Sequence, residues 1–97
     1  MVSLSDRLVQ RSDVETRPYA KGAMLVDTAT GACYRLNRVG ADVWALLGQP
    51  LSMADVCNEL GKRYEISRGT LEQDVRRVVE QFLAQTLVSA LPADAAP

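Results

Sequence analysis

Cys33 and Cys57 are the side chains best suited to bond-making chemistry in this sequence, and they lack the company such chemistry needs. A thiol nucleophile needs a base beside it, and the chain has no histidine. Two isolated cysteines with no Cys-x-x-Cys spacing make a poor metal site. Small core filler is the plainer role for both. Ser52 and Ser67 stand where helices begin and read as caps rather than nucleophiles. Glu72 and Asp74 lie two apart on one helix and do not face each other, so they form no acid/base pair. Gly31, Gly40 and Gly48 are scattered, so no phosphate-binding loop forms. The sequence therefore predicts a protein that is not an enzyme and that carries no metal and no cofactor. Its function has to come from surfaces.

Composition narrows those surfaces. The chain has 97 residues, 47% hydrophobic, which is one domain with a thin core. A chain of this size buries roughly 60–65% of the surface its unfolded form exposes. Net charge is −1, from 11 basic and 12 acidic residues, which argues against a nucleic-acid binder held by phosphates. No run of apolar residues is long enough to span a membrane, and the first ten residues lack the apolar run of a signal peptide. A cytoplasmic protein with reduced thiols is expected. The expected organisation is a disordered lead-in at 1–4, a single domain at 5–88 and a flexible tail at 89–97, where the sequence turns Ala/Pro-rich.

The stretch from Ala23 to Leu47 organises the rest. Residues 23–27 and 32–36 read as two strands of a hairpin. Asp27 can bond the turn backbone and Gly31 can supply a positive φ. Alternation puts Ala32, Tyr34 and Leu36 on one face and Cys33 and Arg35 on the other. Before the hairpin, Leu8-Val9 and Val14-Glu15-Thr16-Arg17 read as one lead-in strand, broken by a bend near Arg11–Asp13. After it, Asn37 caps a helix whose core stripe is Val39, Val43, Trp44 and Leu47. Ser52 with Asp55 forms a short capping box for a second helix, which buries Met53, Val56, Cys57 and Leu60. A third helix spans 67–87, with an apolar band of Leu71, Val75, Val78, Val79, Phe82, Leu83 and Leu87, and a Glu72–Arg76 pair on its other side. The fold class is α+β: a winged-helix-like arrangement, with a three-stranded antiparallel sheet at the N-terminal end followed by three helices.

A sheet this narrow leaves an edge open unless something covers it. The strand at 32–36 has little protection, and the third helix is apolar over more width than one core contact needs. An open edge beside such a helix suits an extended peptide that adds as a strand. The alternative is that residues 6–17 cover the edge and the tail fills the helix face.

The string LVDTATGACYRLNRVGADVWALL resembles the PqqD-like peptide-recognition domains, in particular the stand-alone B1 proteins of lasso-peptide biosynthesis. The resemblance rests on Leu25-Val26-Asp27 with Gly31, on Tyr34-x-Leu36-Asn37, and on Gly40 with Val43-Trp44. Asp74-Val75, Val78-Val79 and Phe82 match the last helix of that family. The likeness runs from residue 5 to about 90. It implies binding of the leader region of a ribosomally made precursor peptide, added as an antiparallel strand. By position, the strand would be Cys33, Tyr34, Arg35 and Leu36. The groove wall would be Asp74, Val75, Arg77, Val78, Gln81 and Phe82. The bound precursor would go to a B2-type leader peptidase, or to a radical modifying enzyme in related pathways. A monomer is expected. Relatives often carry a large aromatic residue where this chain has Cys33, which implies a roomier pocket if that side chain faces the groove. Two readings remain open beside this one. A winged-helix nucleic-acid-binding or regulatory domain needs a basic helix face, and Arg76-Arg77 is a small footprint for it. A buttress for a larger enzyme needs no groove at all.

Overall fold

The structure is a computed structural model that describes residues 2–92. In chain order the elements are β1 (Arg7–Gln10), β2 (Val14–Tyr19), β3 (Gly22–Asp27), β4 (Cys33–Leu36), α1 (Arg38–Leu46), β5 (Leu51–Ser52), α2 (Met53–Gly61), α3 (Arg68–Ala84) and β6 (Val88–Leu91). The described strands form two antiparallel sheets, ordered β2-β3-β4 and β5-β1-β6. The class is the expected α+β, and the sheet β2-β3-β4 precedes the three helices as anticipated.

The second sheet was not anticipated. The lead-in does bend at Arg11–Asp13, but its two halves part company there. β2 pairs with β3, whereas β1 leaves to pair with β5 and β6. The flexible tail expected from residue 89 is corrected in the same way: Ser89, Ala90 and Leu91 pair with Val9, Leu8 and Arg7. Burial drives this pairing. Leu8, Leu87 and Val88 are all enclosed, and together they cover the bottom of the core. Of the disordered lead-in expected at 1–4, Val2 is instead buried, and its carbonyl accepts a hydrogen bond from Arg76 Nη1 at 3.0 Å. Arg76 therefore does not pair with Glu72, which takes Arg68 at 3.1 Å. The remainder of the tail expected to be flexible, residues 93–97, lies outside the described residues.

Local chemistry sets the helix ends. Asn37 Oδ1 accepts from the Gly40 amide at 2.8 Å, and Ser52 and Asp55 make a reciprocal capping box. Ser67 caps α3 by accepting from the Thr70 amide. At the far end of α3 the Leu87 amide reaches back to Phe82 O and the Thr86 amide to Leu83 O, with Thr86 at φ 55. This is a Schellman turn, and it redirects the chain from α3 into β6. In the hairpin, Gly31 takes φ 80 as anticipated, and Asp27 Oδ1 accepts from the Ala29 amide.

Trp44 joins the layers. Its ring meets Phe82 of α3 edge-on, with centroids 5.3 Å apart, and its indole N–H donates to Thr16 Oγ1 of β2 at 2.7 Å. Gln10 of β1 donates to its carbonyl. Two residues along β3 from Leu25, the pairing partner of Thr16, Arg11 bonds both carboxylate oxygens of the buried Asp27 at 3.0 Å, and also reaches Asp13 and Thr86 O.

Arg11 holds the Asp27 carboxyl below the usual carboxylate range, and Asp13 likewise. A depressed folded pKa gives stability that is present above the ordinary carboxylate pKa and lost as pH falls through the depressed one. Acid titration followed by circular dichroism should show stability declining below about pH 4. Asp27→Asn should lower the thermal midpoint at neutral pH and flatten that acid limb. A β-branched residue at positive φ is strained, so Thr86→Gly should raise unfolding free energy by about 0.5–1 kcal/mol in urea titration.

Candidate functional site: an open strand edge facing helix α3

The hydrogen-bond alternation of β3 decides which backbone groups are free. The Asp27 amide donates to Ala32 O at 2.8 Å and its carbonyl accepts from the Gly31 amide at 2.7 Å, so the backbone groups of Asp27 face β4. Stepping by two through the observed register makes Leu25–Tyr34 and Ala23–Leu36 the bonded pairs. Leu36 O does point at β3: a Cβ on Gly22 would lie 1.9 Å from it, so only glycine fits there. The N–H and C=O groups of Cys33 and Arg35 therefore point off the other side of β4. Among the described residues no strand pairs with that side. Neither route by which the edge could have been covered is taken. Residues 7–10 and 14–19 pair elsewhere, and 88–91 pair with β1.

The opposite edge of the same sheet is blunted. β2 pairs with β3 through Tyr19–Gly22, Arg17–Met24 and Glu15–Val26, as the two-residue turn at Ala20-Lys21 requires. The outward N–H groups of β2 thus belong to Val14, Thr16 and position 18, and Pro18 has none. The open edge of β4 has no such residue.

Beside that edge runs a groove of about 430 Å³. Arg35, Leu36, Asn37, Val39 and Gly40 line one side of it, and Asp74, Arg77, Val78 and Gln81 line the other. Helical spacing explains the second wall. Positions 74, 78 and 81 share one face of α3, with 77 at its margin, while 71, 75, 79 and 82 face the core. Asp74 and Arg77 lie 3.7 Å apart at the rim. The floor is apolar, from Leu36, Val39 and Val78, which pack against the core while remaining half-buried.

The structure thus gathers Arg35, Leu36, Asp74, Arg77, Val78 and Gln81 of the anticipated residues. Tyr34 faces inward, half-buried against the core. Three anticipated residues are placed otherwise. Val75 and Phe82 are 0% and 1% exposed and belong to the core, one helix face away from the groove. Cys33 lies opposite Val26 on the outer face of the sheet, exposed to solvent, so its thiol shapes no groove pocket, although its backbone lies on the open edge. Asn37, Val39 and Gly40 were missed as lining. Their capping and core roles had already accounted for them. The signal was the one-residue link, Asn37, between β4 and α1, which forces the first helical turn against the strand edge.

An open edge strand, a helix laid alongside it and a supporting second sheet define a small α+β domain of winged-helix type. Residues 22–88 match the family described as coenzyme PQQ synthesis protein D (PqqD), and the chain belongs to that family. Its fold is similar to that of TbiB1 in complex with the TbiA(beta) leader peptide, with TM-score 0.75 and 20% identity over 92% of this chain and 99% of that one. A lasso peptide synthetase B1 complexed with the leader peptide is also similar, with TM-score 0.69 and 27% identity over 84% and 96% of the two chains. No curated protein matches the chain.

The alternation of β4 carries a direct test. In amide hydrogen exchange of the free protein, Tyr34 and Leu36 should be protected, and Cys33 and Arg35 should exchange at least about tenfold faster. The opposite parity would mean that the strand register is wrong.

Proposed function

We propose that this protein binds the leader segment of a ribosomally made precursor peptide without itself catalysing a reaction. The leader adds antiparallel to β4 and lies in the groove against α3. The observation that carries this reading is the pair of outward-facing backbone positions, Cys33 and Arg35, beside a half-apolar helix face. Backbone bonds to these positions supply affinity, and side chains that alternate into the groove supply selectivity. Arg35, Leu36, Asp74, Arg77, Val78 and Gln81 meet the peptide side chains, and Tyr34 supports the strand from behind. Family membership and the likeness to two proteins solved with leader peptides support the same reading.

The work done is positional. Ordering a flexible leader on a folded surface raises the local concentration of its cleavage or modification site at a partner enzyme. In a lasso pathway that partner is a B2-type leader peptidase. In a pathway like that of pyrroloquinoline quinone it is a radical modifying enzyme. Among the described residues no helix is long and apolar enough to cross a membrane.

The test is an amide-resolved titration with a synthetic leader of the precursor encoded beside this gene, run next to a duplex DNA control. Shifts should concentrate at 32–37 and 74–81, with saturation near micromolar concentration, about −8 kcal/mol. A folded protein with no leader response would sink the reading. Cys33→Pro sharpens the test, because the amide it removes points away from β3. The variant should keep its fold and bind the leader about tenfold more weakly.

A further inference from the structure

At the Leu36 end of β4 the groove runs on into a second concavity, whose walls include Tyr19, Lys21, Gly22, Arg35, Leu36 and Arg38. Three of these residues are cations. Among the described residues none of the three has a carboxylate within ion-pair distance. Arg35 is held in place by an aromatic ring instead. Its guanidinium lies 5.6 Å from the centroid of Tyr19, and Nη1 makes a long 3.4 Å hydrogen bond to the Tyr19 hydroxyl. Gly22, the pairing partner of Tyr19, puts no side chain between them. Lys21 sits in the turn after β2, where Ala20 is at φ 51.

Arg38 is out of place by ordinary helix electrostatics. It opens α1, at the end where the helix dipole favours acidic residues, and that first turn holds none. The acid one turn further on, Asp42, already accepts a hydrogen bond from the Tyr64 hydroxyl. Positive charge is therefore concentrated at one end of the groove, and among the described residues none of it is taken up in an ion pair. Its natural complement is a carboxylate brought by the occupant of the groove.

Strand parity says which residues would bring it. Opposite residues of an antiparallel pair point to the same face. Arg35 points to the outer face, with Tyr19, and so does the peptide residue opposite it. The residue two positions earlier in the peptide also faces outward, and it lies beyond Leu36, beside Lys21 and Arg38. The residue between them faces the groove.

We propose that this surface reads acidic side chains in the bound peptide, one directly opposite Arg35 and one two residues before it. The proposal rests on strand addition to β4 and adds to it an acid–x–acid requirement on the solvent-facing side of the leader.

The experiment is selection from a displayed library of random peptides on the full chain. Binders should be enriched in Asp or Glu at two positions separated by one residue. A synthetic copy of one binder should lose about fivefold in affinity when both acids become amides, and the difference should shrink as salt is raised. Lys21→Gln combined with Arg38→Gln, both at exposed positions, should narrow the gap between the acidic and amide peptides. Binders without the acid pattern, or a gap unchanged in the double variant, would overturn the proposal and leave strand addition standing. A library that yields no binder at all would overturn both.

Discussion

One ion pair holds the two halves of this protein in register. Arg11 leaves the end of β1, grips the buried carboxylate of Asp27 at the end of β3, and touches Thr86 O where α3 gives way to β6. Three elements with no covalent connection nearby are thus fixed to one planar group with several donors. The consequence reaches the groove, because β3 carries β4 and Thr86 ends α3. The spacing between the two groove walls is set at this end by the reach of one arginine. Close by, one turn earlier on α3, it is also set by Trp44, wedged between Thr16 and Phe82. The groove residues Asp74, Arg77, Val78 and Gln81 lie toward the start of α3 from both anchors.

Openness on one side depends on closure everywhere else. The sheet β2-β3-β4 has two edges, and they are treated differently. Pro18 removes a donor from the outward row of β2, and Glu15 and Arg17 put charge on that strand. β4 has four residues and no proline. The core beneath is fully apolar apart from Asp27, and no buried side-chain polar atom among the described residues lacks a partner. An unsatisfied row of backbone groups is thus confined to a place where water or a peptide can satisfy it.

What could be read from the sequence was local. Asn37, Ser52 with Asp55, and Ser67 were legible as caps because each bonds an amide three residues on. The hairpin was legible from Asp27 and Gly31 for the same reason. The interactions that failed to show were those between residues far apart in sequence. VSAL is too short to announce a strand, and it becomes one only because β1 waits for it at the other end of the chain. Asp27 was read as a turn former, which it is, while its second partner lies sixteen residues upstream. On α3 the apolar band was correctly seen as wide, but sequence gives no origin for the helix rotation. Val75 and Phe82 could be sorted from Val78 and Gln81 only once Trp44 and Leu25 showed where the core lay.

The pairing of β1 with β6 has a consequence for the order in which the molecule comes together. The meander β2-β3-β4 is built from neighbours in sequence and can close as soon as it is made. The partners of β1 come from the other half of the chain, and Leu8 finds Ala90 only after every helix has been synthesised. During translation the residues of the β4 edge therefore emerge before those that complete the second sheet. Until Val88–Leu91 leave the ribosome, Leu8 and the lower end of the core stay exposed. Loss of residues 88–91 would thus leave a β4 edge on an unfinished domain, with Leu8 and the lower end of the core uncovered.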